Sequence, residues 1–102
     1  MFVRITWGKI KPGQWQGYEE AYKKGTDLTS DAPGLQGRWL VQDMADPDAG
    51  YSITLWDNEK DMRGYRDTKT FQEKVLPLVK PFFVGEYETK FCRVKVSDEE
   101  KG

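Results

Sequence analysis

The sequence predicts a small α+β domain in which a four-stranded antiparallel sheet carries helices on one side. The chain has 102 residues, the length of one domain. Apolar and polar residues alternate in four segments, as in strands, and apolar residues recur at helical spacing in two others. The order of these segments is strand, helix, strand, strand, helix, strand. Right-handed crossovers fold this order into the ferredoxin-like βαββαβ arrangement.

The first half of the predicted fold is one strand and one helix. Residues 2–10 alternate between apolar and polar side chains, which predicts the first strand. Residues 14–24 carry aromatic side chains at helical spacing, which predicts an amphipathic helix. Gly25 is expected to end this helix, and residues 26–34 have the composition of a loop.

The second half begins with a hairpin. Residues 35–43 and 51–56 alternate like strands, and the polar residues 44–50 form the connection between them. Trp39 and Val41 share one face of the second strand. The hairpin is followed almost at once by a helix start, so the third strand ends at a sheet–helix junction, where small domains often form pockets.

The end of the chain is predicted to be a helix followed by a long strand. Asp57 or Asn58 is expected to cap the helix, and Pro77 and Pro81 are expected to end it. Residues 82–96 are expected to form the last strand. The predicted domain therefore spans residues 1–96, and the charged residues 97–102 are expected to form a frayed tail.

The predicted sheet carries large apolar side chains on both faces, whereas helices can cover only one. The least costly second cover is another copy of the same chain. We therefore expect a homodimer, formed through the sheet face and the last strand.

Composition excludes several classes of function. The net charge is −1 and the basic residues are interspersed with acidic ones, so nucleic acid is not an expected partner. No segment has the apolar length of a membrane span, and a cytoplasmic protein is expected. The chain has no histidine, which excludes Ser–His and Cys–His triads, and no metal site is expected. The single Cys92 is expected to be a small buried hydrophobic residue.

A set of polar side chains with one tryptophan forms the predicted site. Alternation places polar groups on one side of three strands, where they converge with the tryptophan: Arg4, Thr6, Arg38, Thr54 and Trp56. One interpretation is a semi-polar pocket that orients ligand oxygens. The alternative is that the two arginines pair with Glu86 or Glu88, and that the tryptophan only fills the core.

The chain resembles a known family over nearly its whole length. The resemblance rests on the opening strand with Lys-Pro-Gly at residues 11–13, and on the segments at residues 33–40, 46–51 and 52–56. These residues are similar to those of the dimeric α+β barrel superfamily, specifically its domains that are like antibiotic biosynthesis monooxygenases. The resemblance implies the dimeric barrel fold. Different proteins with this fold carry out different reactions, so the fold alone does not name one.

The resemblance also implies an activity and site residues. Better-known members oxidise polycyclic aromatic molecules with molecular oxygen and use no metal or flavin. A strand-end tryptophan that faces the pocket is shared by several of them, and Trp56 matches it. A tyrosine or asparagine near the pocket often contacts substrate oxygens, and Tyr65 and Asn58 are the corresponding candidates. A haem-degrading branch has an asparagine where Thr6 stands and a histidine where Arg66 stands, so haem is not expected.

The sequence therefore predicts a cofactor-independent monooxygenase that acts on a flat aromatic or polyketide-like molecule. Trp56 and Tyr65 are the candidate catalytic residues. The predicted pocket residues are Thr6, Arg38, Thr54, Trp56, Asn58 and Tyr65. The alternative is a non-catalytic ligand-binding or stress-response barrel, because no general base is evident.

Overall fold

The structure, a computed structural model, describes residues 1–98 as one sheet beneath a helical layer. The four antiparallel strands are β1 (Phe2–Lys9), β2 (Leu35–Gln42), β3 (Ala49–Trp56) and β4 (Glu88–Arg93). They lie in the order β2-β3-β1-β4, which is the ferredoxin-like order. The three α-helices are α1 (Trp15–Leu28), α2 (Glu59–Gly64) and α3 (Leu76–Val79). The predicted fold class is confirmed.

The strand register separates two faces of the sheet. Arg4 of β1 lies opposite Thr54 of β3, and Thr54 lies opposite Arg38 of β2. These residues belong to the inner face, which the helices cover. The outer face carries the next residue along each strand, for example Ile53 of β3, which lies opposite Trp39 of β2. The alternation predicted from the sequence is therefore correct.

Two clusters of buried side chains form the core between the inner face and the helices. One cluster lies under α2 and contains Trp56, Met62, Tyr65, Phe71 and Val75. The other lies under α1 and contains Ile10, Tyr18, Ala21 and Val79. The candidate site lies between these clusters.

The first helix is longer than predicted, since it continues through Gly25 to Leu28. Gly25 is buried, and a Cβ atom at this position would lie 3.1 Å from Cγ1 of Val75. The glycine therefore permits close packing of α1 on the helical segment at Val75, rather than ending the helix. Sequence alone does not distinguish these two uses of glycine.

The second helical region is interrupted, and Pro77 does not end it. A 3-10 turn (Tyr65–Asp67) follows α2, and a π-helical segment (Phe71–Val75) leads into α3. Pro77 lies in the first turn of α3, where its missing N–H is tolerated. Helical structure ends only with the 3-10 turn Lys80–Phe82.

The last strand is much shorter than predicted. Residues 83–87 connect the helical layer to the last strand, and the strand β4 that pairs with β1 contains only Glu88–Arg93. The predicted strand over residues 82–96 is therefore wrong at both ends. Cys92 is exposed rather than buried, because it lies on the outer face of this edge strand. Residues 99–102 of the predicted tail lie outside the described part.

Across residues 1–98, no helix combines the length and the apolar character that crossing a membrane requires.

Candidate functional site

A partly open cavity of about 70 Å³ lies between the inner face of the sheet and the helical layer. The sheet contributes a polar floor, which consists of Arg4, Thr6, Arg38, Ser52 and Thr54. Aromatic side chains from the helical layer and from the segment before β4 form much of the roof, among them Tyr18, Tyr22, Tyr65, Phe71 and Tyr87. The sheet thus brings together four of the residues that the sequence predicted to converge.

The floor contains a row of two cations with a hydroxyl between them. Arg4, Thr54 and Arg38 lie opposite one another on β1, β3 and β2. Adjacent strands are about 4.8 Å apart, so the two arginine backbones are roughly 10 Å apart on the same face. Two like charges that line one cavity repel each other, and a bound anion would relieve this repulsion.

Arg4 is the most unusual residue of the cavity. Arg4 is only 6% exposed, yet its side chain makes no hydrogen bond or ion pair within residues 1–98, and its Nε is buried without a partner. Burial lowers the pKa of the guanidinium, and the nearby cation of Arg66 acts in the same direction. Within residues 1–98 neither Glu86 nor Glu88 pairs with Arg4, and Glu88 instead pairs with Lys90 at 3.0 Å, while a pair across the expected dimer stays a prediction.

Arg38 is held by Thr29, a residue that the sequence analysis did not single out. Nη1 of Arg38 donates to Oγ1 of Thr29 at 2.7 Å, and Nη2 donates to the Thr29 carbonyl at 3.2 Å. Oγ1 of Thr29 also accepts from the hydroxyl of Tyr65 at 3.3 Å and donates to the Gly25 carbonyl at 2.8 Å. Nε of Arg38 remains buried without a partner. Thr29 lies in a stretch predicted as a loop, so no sequence signal marked it.

Trp56 packs in the core and does not line the cavity. It is 1% exposed, and its ring centroid lies 5.2 Å from that of Tyr65. Its indole Nε1 donates to Oγ1 of Thr54 at 2.8 Å. This bond engages the oxygen of Thr54 as an acceptor, so the Thr54 hydroxyl hydrogen can point into the cavity. The geometry agrees with the core interpretation of Trp56, while its role as a stacking wall stays a prediction.

Tyr65 and Asn58 occupy different places. Tyr65 is buried, lines the cavity and packs between Trp56 and Phe71, whose ring centroid is 5.1 Å away. Asn58 is exposed at the start of α2, where its side-chain oxygen accepts from the Asp61 backbone N–H at 2.8 Å. Asn58 therefore caps α2, and the structure does not bring it to the cavity.

Thr6 also lines the cavity, as do Tyr22 and Ser52, whose hydroxyl groups the sequence analysis did not select. The hydroxyl of Thr6 bonds to that of Thr89 at 3.0 Å, and the hydroxyl of Tyr22 bonds to that of Ser52 at 2.7 Å. These two bonds give the hydroxyl groups of the inner face partners other than the two arginines.

Arg66 and Tyr87 form a cation–π contact beside the cavity. Nη2 of Arg66 donates to the Tyr87 hydroxyl, and the guanidinium lies 5.0 Å from the centroid of the same ring. Arg66 stands about where the haem-degrading branch has a histidine. In this structure its guanidinium contacts Tyr87.

Tyr18 and Tyr22 of the roof hold their hydroxyl protons more firmly than an exposed tyrosine does. Burial raises the pKa of the Tyr18 hydroxyl, and burial also raises the pKa of Tyr22 despite its hydrogen bond to Ser52. The residues that line the cavity include no carboxylate. Among residues 1–98, no group of three or more His, Cys, Asp or Glu side chains is placed to hold a metal ion. The cavity can therefore stabilise negative charge on a ligand but offers no evident proton acceptor.

The profile of one protein family matches most of this domain. The family is described as antibiotic biosynthesis monooxygenase, and the match covers residues 1–75. The chain belongs to the antibiotic biosynthesis monooxygenase family. The match includes β1, α1, β2, β3 and α2, which carry the two arginines and Trp56. No curated protein matches this chain in sequence.

Solved structures of low sequence identity share the fold. A proposed antibiotic biosynthesis monooxygenase from Bordetella bronchiseptica has a TM-score of 0.83 at 20% identity, over 93% of this chain and 97% of that one. A conserved protein from Methanosarcina mazei has a TM-score of 0.79 at 20% identity, with 93% and 94% covered. SnoaB, a cofactor-independent oxygenase from Streptomyces nogalater, has a TM-score of 0.81 at 11% identity, with 97% of each chain covered. At these identities the family members share architecture, and the chemistry must be argued from the cavity.

Proposed function

We propose that this protein is a cofactor-independent monooxygenase whose substrate is an enolisable or phenolic molecule bound in the central cavity. The observation that carries the proposal is the cationic floor, in which the buried Arg4 and the half-buried Arg38 each keep a buried Nε without a partner. Buried cations without acidic partners are costly to a fold and typical of sites that stabilise a developing oxyanion. Membership in the antibiotic biosynthesis monooxygenase family supports this chemistry.

The proposed reaction uses the substrate as the source of all electrons. A CH₂ group activated by an adjacent enol or aromatic system loses a proton, and the resulting anion reacts with O₂ to form a carbon–oxygen bond. The peroxide takes up a proton and then loses water, which leaves a carbonyl, so that CH₂ and O₂ become C=O and H₂O. In this scheme the arginines lower the substrate's pKa, and the proton leaves to water.

The size of the cavity limits the substrate. Its volume of about 70 Å³ is far below the 300–1,000 Å³ of typical ligand pockets. A polycyclic molecule would enter only if roof side chains such as Tyr65 and Phe71 moved aside. Phe71 begins a π-helical segment, and such segments are frequent at functional sites. We therefore propose a compact substrate, smaller than the flat polyketide-like molecule predicted from the resemblance.

Oxygen consumption tests this activity. With a series of phenolic probes from one to three rings, including a dihydroxynaphthalene and an anthrone, we expect uptake above the buffer rate for the smaller members. We expect the rate to rise with pH, with a midpoint about one unit or more below the pKa of the probe in water, because two cations stabilise the ionised form. A buffer-level rate across the whole series would contradict the activity. A midpoint at or above the probe's own pKa would contradict the role of the arginines.

The non-catalytic alternative is supported by a specific feature, the absence of a carboxylate among the residues that line the cavity. A ligand-binding barrel would bind the same probes without consuming oxygen. The oxygen measurement therefore separates the two functions once binding of a probe has been established.

We also propose that the protein forms a homodimer through the outer face of the sheet. This face carries large apolar side chains, and within residues 1–98 no helix covers it: Val3, Ile5, Trp7, Trp39, Val41, Tyr51, Ile53 and Leu55. Trp39 is 50% exposed although it lies in the middle of a strand. Apolar patches of this kind mark interaction surfaces. Because β4 is short, we place the contact on the sheet face rather than on an extended last strand.

Replacement of Trp39 tests the dimer. We expect Trp39→Glu to shift the sedimenting species from two chains toward one at micromolar concentration, since an unpaired charge in an apolar contact is costly. The matched control is Lys24→Glu, at an exposed position on α1. A wild-type protein that sediments as a single chain would contradict the dimer, as would a Trp39→Glu variant that sediments like wild type.

A further inference from the structure

Arg4 and Arg38 differ in how much of each guanidinium is available to a ligand. Arg38 already donates one N–H from each of Nη1 and Nη2 to Thr29, and its buried Nε has no partner. The guanidinium of Arg4 makes no hydrogen bond within residues 1–98, so all of its N–H groups are available. A free guanidinium binds a carboxylate through two parallel hydrogen bonds, whereas the guanidinium of Arg38 is already fixed in place by Thr29.

The inner face separates these two binding groups by one strand. Thr54 of β3 lies between Arg4 and Arg38 in register, and its hydroxyl oxygen already accepts a bond from Trp56. The floor of the cavity thus presents, in a row, the free guanidinium of Arg4, the hydroxyl of Thr54 and the unpartnered Nε of Arg38. Apolar and aromatic side chains of the helical layer, including Phe71, Val75 and Val79, close the space above it.

We propose that the cavity takes a compact organic acid that carries a second oxygen function, such as a hydroxy-aromatic or enolic carboxylic acid. The carboxylate binds the fork of Arg4, and the phenolic or enolic oxygen lies against Nε of Arg38. This inference rests on the proposed function and names its substrate class. It also explains why the cavity holds two arginines and no acid, since the ligand itself supplies the negative charge.

Binding of simple acids to the arginines tests the proposal without any turnover. We choose 4-hydroxybenzoate, benzoate and phenol as probes, and we follow the arginine Nε–Hε resonances of the whole ¹⁵N-labelled protein by NMR. We expect 4-hydroxybenzoate to shift the resonances of both Arg4 and Arg38, and benzoate to shift mainly that of Arg4. Phenol, which has no carboxylate, should bind least tightly.

Variants assign the contribution of each side chain. We expect Arg4→Gln to weaken binding of 4-hydroxybenzoate and benzoate by about tenfold or more, because hydrogen bonds to charged groups are lost. Arg38→Gln should weaken 4-hydroxybenzoate binding and leave benzoate binding nearly unchanged. If the loss of its Thr29 bonds prevents this variant from folding, the wild-type Arg38 resonance decides the same point. Arg63→Gln is the matched control, since Arg63 is exposed and pairs with Glu59 at 2.6 Å.

The outcomes separate this inference from the proposed oxygenase. Acid binding that Arg4→Gln abolishes, without oxygen uptake on any probe, would support the inference and contradict the oxygenase. Oxygen uptake on neutral phenols, without acid binding, would overturn the inference alone. Equal affinity in wild type and Arg4→Gln would overturn it. Competition by chloride or inorganic phosphate as strong as that by benzoate would show a general anion hole and would overturn the proposed substrate class.

Discussion

We expect the Trp56→Ala variant to lose about 3–5 kcal/mol of its free energy of unfolding, the cost of emptying a large aromatic site in a core. Trp56 is 1% exposed and belongs to the core cluster with Met62, Tyr65, Phe71 and Val75. Domains of this size are stable by only about 5–15 kcal/mol, so the loss would remove much of the total. Urea denaturation at fixed protein concentration measures the effect.

The matched control for this variant is Trp39→Ala, which removes an equally large ring from the outer face. We expect its effect to depend on protein concentration, because Trp39 would act through subunit association. The Trp56→Ala effect, in contrast, should persist at every concentration. A loss below about 1 kcal/mol for Trp56→Ala would contradict the core interpretation. Lost activity in this variant therefore would not by itself identify Trp56 as a catalytic residue.

We expect the Arg4→Met variant to be more stable than the wild type, by about 1–3 kcal/mol, although it should bind acids poorly. The guanidinium of Arg4 is desolvated without a hydrogen-bond partner in residues 1–98, and an apolar side chain of similar length removes that cost. Residues that cost stability are typical of sites kept for function. Urea denaturation measures the gain, at a protein concentration matched to the wild type.

Arg63→Met is the control for the loss of a surface cation. Arg63 is exposed on α2 and pairs with Glu59 in the i,i+4 arrangement, so its replacement should change stability by about 0.5 kcal/mol or less. A loss of stability in Arg4→Met would show that Arg4 contributes to the fold. The argument for an unpartnered cation in the cavity would then fail.

Much of this protein follows from local sequence patterns. Alternation is a property of neighbouring residues, and it placed Arg4, Thr6, Arg38 and Thr54 on one face of the sheet correctly. The same patterns predicted the strand order of a ferredoxin-like domain. The end of α1 and the course of residues 82–87 were predicted incorrectly, because packing of Gly25 against Val75 and the return of the chain to β1 depend on distant segments.

The sequence by itself determined which side chains share the inner face, since a two-residue period allows only one alternation. Only the tertiary structure decided what these side chains contact. It placed Thr29 on Arg38, left the guanidinium of Arg4 without a hydrogen-bond partner in residues 1–98, and packed Trp56 in the core. Hydrogen-bond partners and cavities arise where separate segments meet in space, and no local pattern specifies those meetings.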